Sequence, residues 1–301
     1  MPSTHDPSVR RTIRYGVLNA RYKNTPVDIS TVFTEIDKLS FSNDDRYLAM
    51  SDGVRLEVLL NRPSMPIRGM IGDSRMKELP MIETKGKLDK LNLRRGSGLF
   101  DATHFVIINN KNNIPIIGYE YNIRAPRINR LQEYILIKFP EVVDFFAIEP
   151  INDKDINKVL KEIQEPTKFT IKAHNSCSML DLDKNLADVF SSARKVSNCD
   201  YITIGFSRKR GRKEPIDFAN YNNIAGFIGS HNASLIESFK ITYKNAQGEN
   251  EDIELLDLFL HDKASVPTLT EDSRFVDSQK LYEIINSYIM KRKVILDGIK
   301  I

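Results

Sequence analysis

The chain has 301 residues, and its 44 Lys+Arg against 40 Asp+Glu leave a formal charge of +4. With 41% hydrophobic and 28% charged residues it has the composition of a folded globular protein, which excludes a disordered, collagenous or fibrous chain. Its length predicts about two domains. No run approaches the ~18 apolar residues of a spanning helix, and Met1–Arg11 carries charge and proline without an apolar segment, so neither a membrane span nor a secretory signal is expected. Two cysteines, Cys177 and Cys199, are too few for a disulfide scaffold, and the five histidines are scattered. Reduced thiols in a cytoplasm follow as the expectation, with no metal and no cofactor.

In chain order, Thr12–Tyr22 is rich in strand formers and Lys23–Pro26 reads as a turn. A helix follows, with Asp28 as its cap and Ile29, Val32, Phe33, Ile36 and Leu39 at one-face spacing. Tyr47–Met50 and Val54–Leu60 flank Ser51-Asp52-Gly53, a hairpin signal. From Asn61 to Asp101 repeated Pro and Gly interrupt the pattern, and the segment reads as an irregular basic excursion. A second hairpin is expected from His104–Ile108, a polar turn at 109–113, and Ile114–Ile123. Pro126 suits the first turn of a helix continued by Leu131, Tyr134, Ile135 and Lys138.

Val142–Ile148 is a short apolar run consistent with a buried strand. Helical and strand patterns then alternate over 153–164, 168–173, 180–196 and 201–206, which predicts a βαβαβ-like middle subdomain. Two strands surround Gln247-Gly248, and Val276–Ile301 closes the chain as a long helix with Leu281, Ile284, Ile285, Tyr288 and Ile289 on one face. The expected fold is α+β: a mixed sheet with helices, N-terminal hairpins, the βαβαβ-like subdomain and the C-terminal helix. Residues 10–145 and 235–301 would form a discontinuous main domain, and 146–234 a smaller, mobile α/β subdomain.

The strongest local signal is the loop Arg208-Lys209-Arg210-Gly211-Arg212-Lys213, five cations in six positions. Such density suits phosphate neutralisation, because each paired cation releases condensed counterions. Arg124, Arg127 and Arg130 recur at i, i+3, i+6, with the last two in the first turns of the expected helix. A basic first turn opposes the helix dipole, a conflict that nearby phosphates relieve. The ordinary alternative for both groups is solvated surface. A D…E-x-K arrangement of metal-dependent nucleases is imitated by Asp73, Glu83 and Lys85, but acid-x-Lys triplets are common by chance in so charged a chain. Asp181 and Asp183 read as helix-cap residues. No dinucleotide fingerprint, P-loop or G-x-S-x-G elbow occurs.

The order of these segments resembles the RexA-type phage-exclusion family, with the KwaB component of Kiwa defence systems as a wider relative. The likeness runs through Tyr15–Lys23, the Ile29-Ser30 helix with Phe33, Tyr47-Leu48 before Asp52-Gly53, and the Gly118 strand leading to Pro126. It continues into Ile148-Glu149-Pro150-Ile151 and Thr167–Ala173, then weakens until the lysine-bearing terminal helix. The resemblance implies a non-enzymatic, cytoplasmic homodimer or higher homo-oligomer that binds duplex DNA without sequence preference. It would act in phage exclusion or abortive infection and signal to a separate membrane effector. A distant likeness of that family to the ring protein RdgC implies an α+β domain with a movable second domain. The placement of DNA contacts on Arg208, Lys209, Arg210, Arg212, Lys213, Arg124, Arg127 and Arg130 comes from the residues alone. The other classes left open are a Mg²⁺-dependent nuclease at Asp73, Glu83 and Lys85, and a protein-sensing scaffold.

Overall fold

The computed structural model describes residues 7–40, 45–50, 54–75, 81–84, 87–90, 99–122, 125–153, 156–163, 165–175, 177–180, 182–196, 199, 201–208, 223–224, 227, 235–245, 247–270 and 275–300. The protein is α+β. It divides into two compact units, residues 1–148 with 262–301, and residues 149–261.

The first unit is built on a nine-stranded sheet. Strand β1 (Ser8–Tyr22) turns at Lys23 and Asn24, both at positive φ, and pairs back with β2 (Thr25–Pro26). Helix α1 (Ile29–Lys38) starts where expected: Asp28 accepts from the Ser30 amide, and Ile29, Val32, Phe33 and Ile36 are buried. Strands β3 (Tyr47–Ala49) and β4 (Val54–Arg62) pair as the expected first hairpin, with its 51–53 turn outside the described residues. Arg46, just before β3, is 4% exposed. Its guanidinium donates to the carbonyls of Asp37, Leu39 and Val58, joining the end of α1 to β4.

The stretch from Asn61 to Asp101 is more regular than its Pro and Gly content predicts. β5 (Ile67–Arg75) is a central strand, paired to β4 on one side and to β8 (Leu99–Asn109) on the other. Its glycines are packing sites rather than breaks: a Cβ at Gly69 would stand 2.8 Å from Phe105 Cζ, and one at Gly72 would overlap the Phe100 ring. The strand therefore admits two aromatic rings against its backbone. Between β5 and β8, β6 (Met81–Thr84) and β7 (Lys87–Lys90) form a separate two-stranded ribbon.

The second expected hairpin is present as β8 and β9 (Pro115–Tyr121). Helix α2 (Asn129–Lys138) begins three residues after Pro126, later than the proline would place it, and Leu131, Tyr134 and Ile135 are buried. With β10 (Phe145–Pro150) and β15 (His261–Pro267), which both pair with β1, the sheet order is β10-β1-β9-β8-β5-β4-β3. Strand alternation sends Leu18, Leu56, Ile71, Phe105 and Ile117 into one core with α1 and α2. The opposite face receives helix α5 (Ser278–Lys291), whose buried residues are Leu281, Tyr282, Ile285 and Ile289. The expected single terminal helix is interrupted at Arg292 before α6 (Lys293–Asp297). There the Arg292 guanidinium forks onto Asp262, which also accepts from the Tyr15 hydroxyl at 2.6 Å.

The second unit holds α3 (Ile156–Glu162), β11 (Glu165–His174), α4 (Lys184–Val196), β12 (Tyr201–Ser207), β13 (Ile236–Lys244) and β14 (Asn250–Glu254). Its sheet order is β12-β11-β13-β14, antiparallel throughout. Two expectations change here. The middle is not a βαβαβ unit, because β10 belongs to the first sheet and β11 pairs antiparallel with β12: the excursion through α4 ends where it began, with His174 opposite Tyr201. The main domain resumes at 262 rather than 235, because β13 lies along β11 and carries β14. Ile236, Phe239 and Ile241 give β13 a buried face, but alternation says nothing of which sheet will bury it. Their core joins Phe169, Ile171 and Phe190, among others.

Candidate nucleic-acid interface

The antiparallel sheet of the second unit buries one face and leaves the other open. Alternation along β11 puts Phe169, Ile171 and Ala173 inward and Lys168, Thr170, Lys172 and His174 outward. Register extends that outer face across Ser207, Gly205, Thr203 and Tyr201 of β12, and across Thr242, Lys240 and Ser238 of β13. Lys168, Lys240, Thr203 and Gly205 are exposed. The result is a polar surface with small side chains between lysines.

Charge is not spread evenly over it. Lys168 has no ion pair among the described residues. Lys172 Nζ is 2.7 Å from Glu237 and Lys240 Nζ is 3.8 Å from Asp252, both pairs partly exposed and therefore weak. The far edge is acidic: Glu254 accepts from Ser238 and the Phe239 amide, and Asp252 accepts from Thr242. At the opposite end from Lys168, the Tyr201 and His174 rings meet edge to face at 5.5 Å, with the Lys172 ammonium 5.5 Å from the Tyr201 centroid. A basic, aromatic-tipped surface thus occupies the β12, β11 and β13 part of the sheet.

Arg208 stands at the Lys168 end of this face. Its amide donates to the Thr167 carbonyl at 2.8 Å, and its guanidinium lies 4.0 Å from Glu165 with the side chain mostly covered. It is the first residue of the Arg208–Lys213 run. Lys209, Arg210, Arg212 and Lys213 lie outside the described residues, as does Arg124.

Arg127 and Arg130 belong to the first unit. The Arg127 guanidinium is 4.5 Å from the Tyr121 ring centroid and that of Arg14 is 3.9 Å from it, so one tyrosine carries two cations. Arg130 is 2.5 Å from Glu133. It also acts on Asp73, whose carboxyl is pushed up to about 6, mainly by burial, against the opposing pull of Arg130 and Arg75. Arg130 is therefore occupied by acids of its own unit, while Arg127 and Arg14 share an aromatic platform that periodicity alone does not indicate.

Of the nuclease residues, Asp73 lies on β5 of the large sheet, directly opposite Asp101 on β8. Glu83 lies on β6 of the separate ribbon, and Lys85 lies outside the described residues. Among the described residues no group of three His, Cys, Asp or Glu is arranged to hold a metal ion. Asp183 accepts from the Leu186 amide at 2.9 Å, as a helix cap should. Asp181 lies outside the described residues. Cys177 is buried and Cys199 half-buried, both unbridged. Among the described residues no helix is long and apolar enough to cross a membrane.

Sequence clustering does not single out Lys168, Lys172 and Lys240. Their signal is the alternation of lysine with apolar residues in TKFTIKA, which announces a strand with one basic face. That the faces of three strands coincide is a matter of register. No protein-family model matches the chain, and no curated protein is significantly similar to it.

Proposed function

We propose that the protein binds duplex DNA without sequence preference, through phosphate contacts made by the outer face of the second sheet and the basic loop that leaves it. One observation carries this reading: Lys168, Lys172 and Lys240 share an open face, and Arg208, the first residue of the Arg208–Lys213 run, is hydrogen-bonded to the end of that face. Binding of this kind is dominated by counterion release and reads the backbone rather than the bases. Arg127 with Arg14 would form a second contact region on the first unit, and Arg130 a weaker one because of Glu133. The role in anti-phage defence, the homo-oligomeric state and a separate membrane effector rest on the resemblance to the RexA and KwaB group.

Fluorescence anisotropy with an arbitrary labelled duplex in EDTA, over a salt series, tests the DNA reading. Log affinity should fall linearly with log salt, by roughly 0.9 per neutralised phosphate. Charge reversal at Lys168 and Lys240 should lower that slope by about 0.9 for each phosphate no longer neutralised, whatever the duplex. An unchanged slope, or no binding at the lowest salt, rejects it.

A further inference from the structure

The face of the large sheet beneath α5 carries a group of polar side chains that the DNA reading does not use. On the β8–β9 ladder His104 stands opposite Glu120, since Phe105 pairs with Tyr119. His104 Nδ1 is 2.9 Å from Glu120 Oε2, and His104 Nε2 is 2.8 Å from the hydroxyl of Ser278, the first residue of α5. His104 is 6% and Glu120 2% exposed, whereas Ser278 is half-buried. Arg11 Nε lies 2.7 Å from the other carboxylate oxygen, Oε1. The Tyr282 ring packs edge-on to the imidazole at 5.4 Å.

A Glu120 carboxylate facing Arg11 only accepts, so Nδ1 carries a hydrogen; in the neutral imidazole Nε2 then presents its lone pair to the Ser278 hydroxyl. Serine, histidine and carboxylate thus form one chain in the sense of a nucleophile, a base and the group that orients the base. Glu120 is 16 residues from His104 and Ser278 is 174 residues from it, and a set so dispersed is recognised by geometry rather than by a motif.

The chain of groups opens onto a cavity of about 720 Å³ lined by His104, Glu120 and Ser278, with Met70, Phe100 and Val276 among its apolar walls. At the start of α5, Asp277 accepts from the Lys280 amide through its side chain and from the Leu281 amide through its carbonyl. The Ser278 and Gln279 amides have no acceptor among the described residues, as expected of the first positions of a helix. The amide after the serine at a helix start is where acyl-transfer sites stabilise a developing oxyanion.

We infer that Ser278, His104 and Glu120 form a serine-hydrolase site for small esters with an apolar acyl group. Ser278 Oγ attacks the ester carbonyl carbon while its proton passes to His104 Nε2. The C–O bond to the alcohol breaks, and that alcohol leaves with the proton from Nε2. Water, giving a proton to Nε2, then attacks the acyl-serine; the acid departs and Ser278 regains its proton. Ester and water become acid and alcohol, with no redox partner. Glu120 is a positioning residue: it fixes the imidazole tautomer.

The experiment is labelling of the full-length protein with a fluorophosphonate probe, with the adduct mapped by mass spectrometry and p-nitrophenyl butyrate hydrolysis followed in parallel. One adduct on Ser278 is expected, abolished in Ser278→Ala; that variant loses the hydrogen bond to the buried imidazole, so a modest fall in unfolding temperature is expected while the protein stays folded at the assay temperature. Glu120→Gln also removes the charge facing Arg11 and is therefore assayed below its own unfolding temperature; there it should lower the labelling rate by about 10²–10⁴-fold, in the manner of tautomer loss in a triad. Absence of an adduct on the wild-type protein, or an adduct that survives Ser278→Ala, overturns the inference. So does a Glu120→Gln rate equal to wild type. DNA is absent from the assay, so its outcome is independent of the DNA-binding reading.

Discussion

Replacing Asp73 by Asn should stabilise the protein near neutral pH and leave it unchanged in acid. Asp73 sits on central strand β5 opposite Asp101, and burial pushes its carboxyl up to about 6 from an ordinary 3.8, in spite of Arg130 and Arg75 nearby. Between those values the folded state holds a proton that the unfolded chain has lost, so stability falls as pH rises through the window. At about 1.36 kcal/mol per pH unit the full difference is roughly 3 kcal/mol, and partial exposure of the site reduces the expected effect to about 1–3 kcal/mol. Asn keeps the shape and has no charge to bury. Urea unfolding of both proteins at pH 4 and pH 7.5 reads the effect: the curves should nearly coincide at the lower pH, with the variant more stable at the higher. Comparing the two proteins cancels the contribution of Glu57, whose carboxyl burial also pushes up. A variant that is destabilised equally at both values would refute the reasoning and show that the carboxylate is held by its cations.

Gly72→Ala should cost about 1–3 kcal/mol, as overpacking does, because the new methyl would meet the Phe100 ring; Phe100→Leu in the same chain should recover part of the loss, measured by thermal unfolding. Asp262→Ala leaves both the Tyr15 hydroxyl and the Arg292 guanidinium without the partner that joins them. A loss of about 2–4 kcal/mol is expected for this partly buried group, and amide exchange in α5 should rise more than in α1. Arg46→Lys should destabilise by about 1–3 kcal/mol in urea unfolding, since one ammonium cannot reach the three carbonyls that the buried guanidinium serves.

Much of the architecture is written locally in the sequence. Asp28 before a one-face apolar pattern is enough to start α1, and the polar turn at 109–113 is enough to fold β8 onto β9, because caps and turns act within a few residues. The lysine alternation of TKFTIKA likewise announces a strand with one basic face. Tertiary structure decides what depends on partners distant in the chain. Gly69 and Gly72 read as interruptions until Phe105 and Phe100 are laid against them. The strand at 236–244 can be drawn by its alternation but not assigned to a sheet until β11 takes it. Hairpin register brings Glu120 to His104, yet only the packing of α5 brings Ser278, 174 residues from His104, to the same imidazole. Local chemistry specifies elements because its forces act over a turn or two; the composition of a site is set by register and packing, which sum contributions from the whole chain.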